Sequence, residues 1–97
     1  MSVINAGEVY YSLAKASDQS RADEFAKDLR AQAFPIVVVP ATNPRVWRAA
    51  EVKARYPIAY ADAFAAALAI ELRVPILTGD LDFRPLERDG AVAIEWI

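Results

Sequence analysis

The sequence predicts an α/β fold in which helices flank a mainly parallel sheet. Three observations carry this expectation. Candidate strands are separated by candidate helices, the order that gives a parallel layer. Ile36-Val37-Val38-Val39 is an unbroken β-branched run, the pattern of a strand covered on both faces. Twenty of the 97 residues are alanine, which favours closely packed helices.

The elements follow in order. A helix is expected from Asn5 to about Ala16, with Asn5 as cap, Glu8 three residues later, and Ala6, Val9, Tyr10 and Leu13 on one face. Ser17-Asp18-Gln19-Ser20 breaks it. Ser20 then caps a second helix to about Ala33, with Ala22, Phe25, Ala26 and Leu29 on its apolar side. Phe34-Pro35 stops that helix, and the Ile36–Val39 strand runs to Pro40. Asn43-Pro44 opens a third helix, because a proline at the first helical position gives up no needed N–H. It ends near Arg55, ahead of Pro57. A fourth helix, Tyr60 to Arg73, carries alanine on nearly every side and is expected to be buried. Val74–Thr78 is a short strand, Gly79 turns out of it, and Asp82 to Leu86 forms a helical turn. Asp89-Gly90 is a turn signal before a final strand, Val92–Trp96.

Composition narrows the chemistry. The chain is 56% hydrophobic, has 25% charged residues and a net charge of −2, and contains neither cysteine nor histidine. Disulfides, thiol nucleophiles, imidazole acid–base catalysis and thiolate or imidazole metal sites are therefore excluded. Phosphate-binding and nucleophile-elbow motifs are absent, and the three glycines stand apart at 7, 79 and 90. The charge balance does not suit a protein that coats nucleic acid nonspecifically. No apolar run approaches the roughly eighteen residues of a membrane span, and the start lacks the pattern of a signal peptide. A cytoplasmic location is the expectation.

What remains is oxygen chemistry. Glu8 falls in the first turn of the first helix, Asp62 in the first turn of the alanine-rich helix, and Asp80 just after a strand. Ligands of parallel α/β sheets bind at such strand ends. Three converging carboxylates need a cation to offset them, and all-oxygen ligation points to Mg²⁺ or Mn²⁺ and to phosphodiester hydrolysis. Each acid also has a plainer reading. Glu8 completes a capping box with Asn5, Asp62 favours the helix dipole, Asp80 is a turn residue, and Asp82 caps a helical turn. Arg45, Arg48 and Arg55 form a stripe that reads as a solvated face, whereas Arg84 is placed to meet a bound phosphate. Trp47, Tyr56, Tyr60 and Trp96 offer stacking surfaces, with core packing or an oligomer interface as the plainer role.

Three segments resemble a known family. Ile4-Asn5-Ala6-Gly7-Glu8-Val9 is similar to the N-x-x-E-V motif of PIN-domain ribonucleases, most closely the VapC toxins of toxin–antitoxin pairs. Tyr60-Ala61-Asp62-Ala63-Phe64-Ala65-Ala66-Ala67-Leu68-Ala69 resembles their Y-x-D-A-x-x-A-A-x-A helix, and Leu77-Thr78-Gly79-Asp80-Leu81-Asp82-Phe83 their L-T-x-D-x-D-F segment. The resemblance implies a PIN-like, Rossmann-like sheet in a single domain over 1–97 and Mg²⁺- or Mn²⁺-dependent cleavage of RNA. It implies catalytic and metal roles for Glu8, Asp62 and Asp80, a metal role for Asp82, and supporting roles for Asn5 and Thr78. A cognate antitoxin and a homo-oligomer are the implied partners. The family opens with a strand bearing its first metal-binding aspartate and two helices, which have no counterpart here. The expected fold is therefore N-terminally incomplete, with exchanged or completing segments filling the gap and weak or absent activity in this chain. A catalytically dead remnant serving as an interaction module is the alternative.

Overall fold

The computed structural model describes residues 1–16 and 19–97, and is mostly helical. The expected break at Ser17-Asp18 lies outside the described residues. The chain forms two compact units, Met1–Ala41 and Thr42–Ile97.

The first unit pairs α1 (Val3–Ala16) with α2 (Gln19–Arg30) through the buried Ala6 and Ala22. Small side chains at the contact let two helical backbones approach closely. α1 begins earlier than the sequence suggests. The Ser2 hydroxyl accepts the Ile4 N–H at 3.2 Å, and Ser2 O accepts the Ala6 N–H at 3.0 Å. Ser2 thus caps the helix, and Asn5 lies inside it, so the capping box between Asn5 and Glu8 does not form. α2 also starts earlier, at Gln19 rather than after Ser20, and stops at Arg30 rather than Ala33. The stop is a Schellman turn. Gln32 takes φ 55°, its N–H donates to Leu29 O at 3.1 Å, and Ala33 N–H donates to Asp28 O at 2.9 Å.

The Ile36–Val39 run departs most from expectation. It forms no strand covered on two faces. Its regular pairing is one parallel bridge, Ser2 to Val39, and Val37 is 72% exposed. β-branched side chains favour extended backbone, but burial needs neighbours packed on both faces, and here Ile36 and Val37 are exposed and Val38 and Val39 only half-buried.

The second unit follows the sequence closely. α3 (Asn43–Arg55) starts after Thr42 with Pro44 in its first turn, and α4 (Tyr60–Leu72) buries Ala63, Phe64, Ala66, Ala67 and Ala69. Arg45, near the start of α3, makes a bidentate contact with Glu71, near the end of α4, at 2.9 and 3.2 Å. The two helices therefore run antiparallel. A second Schellman turn ends α4 at Arg73, with φ 54° and Val74 N–H donating to Ala69 O at 3.1 Å. The strands are shorter than expected: β1 is Ile76–Thr78 and β2 is Ile94–Trp96. They pair in parallel, Ile76 to Ile94, Leu77 to Glu95 and Thr78 to Trp96. Between them lie a 3-10 turn, Leu81–Phe83, and the short helix α5, Arg84–Arg88. Phe83 and Leu86 anchor this connection in the core with Tyr56, Ile58 and Val92. The parallel sheet is thus two-stranded, smaller than expected.

Both Schellman turns use a residue with a Cβ where glycine is preferred. The left-handed conformation costs about 1–2 kcal/mol for such residues, partly offset by the roughly 0.5–1 kcal/mol that glycine loses on ordering. Gln32→Gly and Arg73→Gly are each expected to stabilise the chain by about 0.5–1 kcal/mol. Urea denaturation of the two variants checks this.

Candidate functional site

Asp80 stands just beyond the end of β1, across Gly79. Its N–H donates to the Thr78 hydroxyl at 3.0 Å, and its own Oδ1 accepts the Asp82 N–H at 2.9 Å. These two bonds set the chain into the 3-10 turn, with Asp80 as cap. Phe83, buried beneath, holds the turn to the unit's core. Thr78, Asp80 and Asp82 are therefore brought together by local geometry. Asp80 and Asp82 are exposed, and among the described residues Asp80 Oδ2 and the Asp82 carboxylate have no protein partner. Arg84 opens α5 two residues later and is exposed.

Asp62 lies in the first turn of α4, half-buried, next to the buried Ala63 and Phe64. Its carboxylate gains from the helix N-terminus. The Arg73–Pro75 turn sends β1 back along α4, with which it is in contact. Asp62 stands about 15 Å from that turn along the helix. Asp80 stands about 20 Å from it along the extended chain.

In the first unit, Asn5 and Glu8 lie three residues apart on one face of α1. Asn5 is half-buried. Glu8 is exposed, and its carboxylate has no protein partner among the described residues.

The donors suit a hard cation. Carboxylate and hydroxyl oxygens are present, thiolate and imidazole are not, and this set favours Mg²⁺ or Mn²⁺ over softer metals. Among the described residues, no three or more acidic side chains are gathered at a spacing that would hold a metal ion.

The arginine stripe has a structural role in part. Arg45 and Arg48 both hold Glu71, Arg48 at 3.1 Å, rather than facing solvent alone. The hydrogen bond from Arg45 keeps the Glu71 carboxyl below its ordinary value. A carboxyl depressed by folding stabilises the fold above its ordinary pKa, and this contribution is lost as pH falls through the folded value. The thermal midpoint is thus expected to fall as pH drops below 4.5, and less steeply in Glu71→Gln, as thermal scans across that range would show. Of the aromatic residues, Tyr56 is core, its hydroxyl donating to Asp89 at 3.0 Å. That bond raises its pKa, with burial adding to the effect. Tyr60 packs on Phe64 with ring centres 5.4 Å apart, and Trp96 Nε1–H donates to Glu87 at 3.0 Å. Trp47 is largely exposed on α3.

No signal in the sequence singles out Glu71, which lies 26 positions from Arg45. Among the described residues, no helix is long and apolar enough to cross a membrane. A family model described as "PIN domain" matches residues 1–88. No curated protein and no solved structure matches the chain at a significant level.

Proposed function

Because the chain belongs to the PIN-domain family, whose members are generally nucleases and typically metal-dependent, we propose that it is an endoribonuclease of the VapC toxin type, hydrolysing RNA phosphodiesters with Mg²⁺ or Mn²⁺. The observation that carries this reading is the Thr78–Asp80–Asp82 turn, which presents two exposed carboxylates, two residues apart in the chain, at the end of a parallel strand. The family match runs through the Ala41–Thr42 boundary, which supports reading 1–97 as one domain. A cognate antitoxin and a second copy of the chain are the proposed protein partners.

By the resemblance, Glu8 in the first unit and Asp62, Asp80 and Asp82 in the second are the proposed metal ligands, with the Asp80–Asp82 turn offering the two carboxylates that lie close in sequence. When bound, the cation supplies a lowered pKa for attacking water and positive charge for the developing phosphorane oxygens. The chain's own residues do the remaining work. Thr78 fixes the backbone of Asp80, and the Asp82 N–H fixes Asp80 Oδ1, so the other oxygen, Oδ2, stays turned to solvent. Asn5, one turn before Glu8, would orient that carboxylate. Arg84 would bind a phosphate oxygen through its guanidinium, the geometry that suits phosphate best.

The test is incubation of the full chain with end-labelled RNA and Mn²⁺, with and without EDTA. Internal cleavage that stops on chelation is the expected result. Cleavage that persists in EDTA overturns the metal-dependent assignment, and no cleavage under any metal leaves the interaction-module reading.

A further inference from the structure

We propose that the Trp96 indole is a stacking platform for a nucleobase of single-stranded RNA, set beside the Thr78–Asp80–Asp82 turn. For its substrate this rests on the nuclease reading, to which it adds a contact with the part of RNA that is not phosphate.

The sheet register puts the ring there. Thr78 pairs with Trp96 in parallel, and Ile97 N–H donates to Thr78 O at 3.1 Å. Neighbouring strands stand about 4.8 Å apart, and register partners project from the same face. Trp96 therefore shares a face with Thr78, whose hydroxyl accepts the Asp80 N–H at 3.0 Å. The indole is also held from α5. Its Nε1–H donates to Glu87 Oε2 at 3.0 Å, a charge-assisted bond. Glu87 lies three residues after Arg84, so the carboxylate that fixes the ring neighbours the arginine proposed to meet phosphate. Even so, Trp96 is 40% exposed. Its edge is fixed and much of its body is open, which is the form of a contact surface rather than of a core residue. Trp47 is more exposed but lies on α3, outside the sheet.

Charge explains why such a platform is needed. The chain carries a net charge of −2, and the turn places two carboxylates at the site itself. Attraction to phosphate alone therefore supplies little affinity. Stacking on an aromatic face does not depend on charge and accepts every base. It requires a base that is free of its own stack, which single strands offer and duplexes do not. The RNA is then met at three points: Asp80 and Asp82 through the cation, Arg84 at a phosphate, and Trp96 at a flanking base.

The test follows Trp96 emission in the full chain carrying Trp47→Phe, which leaves Trp96 as its one tryptophan. A short single-stranded RNA and an abasic ribose-phosphate strand of equal length are titrated in EDTA at low ionic strength, so that binding is read without cleavage. Saturable quenching by the RNA, and none by the abasic strand, is the expected result. In the same buffer, Trp96→Leu should raise the Kd of a fluorescein-labelled RNA about 5- to 150-fold, the range spanned by loss of one stacked base. Trp96→Phe keeps an aromatic face and should raise it less, with circular dichroism confirming the fold of both. Emission that RNA leaves unchanged, or Leu and Phe variants that bind RNA equally, overturns the platform even if the wild-type chain cleaves RNA with Mn²⁺. Quenching by RNA in a chain that does not cleave it with Mn²⁺ overturns the nuclease reading instead and keeps Trp96 as an RNA contact.

Discussion

Asp80→Asn is expected to lower Mn²⁺-dependent RNA cleavage by about 10²-fold or more, with little change in stability. The reason lies in the turn that holds it. Asparagine keeps an oxygen that can accept the Asp82 N–H, so the bond at 2.9 Å and the 3-10 turn survive. What is lost is the negative charge and a cation-binding oxygen. Losing a group that merely orients a metal ligand costs about 10–100-fold, so losing a ligand should cost at least as much. Asp82→Asn is expected to cost less, in keeping with its lesser implied role. Glu95→Gln, at an exposed position on β2, controls for the change in net charge and should leave cleavage unaltered. Single-turnover rates of the variants, with circular dichroism as the folding check, distinguish these outcomes. Equal rates for wild type and Asp80→Asn would remove Asp80 from the site.

Leu86→Ala is expected to cost about 2–5 kcal/mol, the largest stability effect of any single truncation. Leu86 is the one large side chain with no exposed surface among the described residues, and much of the remaining core is alanine. Truncation removes three heavy atoms from a side chain with no solvent exposure, and the space they vacate adds a cavity cost to the lost burial. A domain of this size is typically stable by about 5–15 kcal/mol, so the loss is a large fraction of the whole. Leu86→Met, which nearly conserves volume, should cost less than about 1.5 kcal/mol. Urea denaturation of both variants measures the difference. Equal costs would mean that the site around Leu86 repacks freely.

Local features were legible in the sequence, and features that depend on distant neighbours were not. Pro44 and the alanine periodicity predicted α3 and α4 to within a residue or so, because both signals act within one or two turns. The Thr78–Asp80–Asp82 turn was equally readable, since its hydrogen bonds span two residues each. The start of α1 was misplaced because Asn5 and Ser2 are both good caps, and the choice was made by the pairing of Ser2 with Val39, 37 positions away. Ile36–Val39 was expected to be covered on both faces, yet its composition says only that it prefers to be extended. The role of Arg45 and Arg48 was hidden for the same reason, since their partner Glu71 is on another helix.

The site residues themselves were legible as a set only through the resemblance of three ordered motifs. Taken singly, Glu8, Asp62 and Asp80 each had an adequate local explanation. The structure removes one of them, the capping box at Glu8. The cap role of Asp80 is real but employs only one of its two carboxylate oxygens.

Divalent-cation binding by these carboxylates is what the nuclease reading requires first. It is tested most directly by titrating Mn²⁺ into the full chain and following free Mn²⁺ by electron paramagnetic resonance, with Glu8→Gln, Asp62→Asn and Asp80→Asn in parallel. The account predicts saturable binding by the wild-type chain, weakened about tenfold or more by each substitution. Binding that is absent in the wild type, or identical in all four proteins, would contradict it.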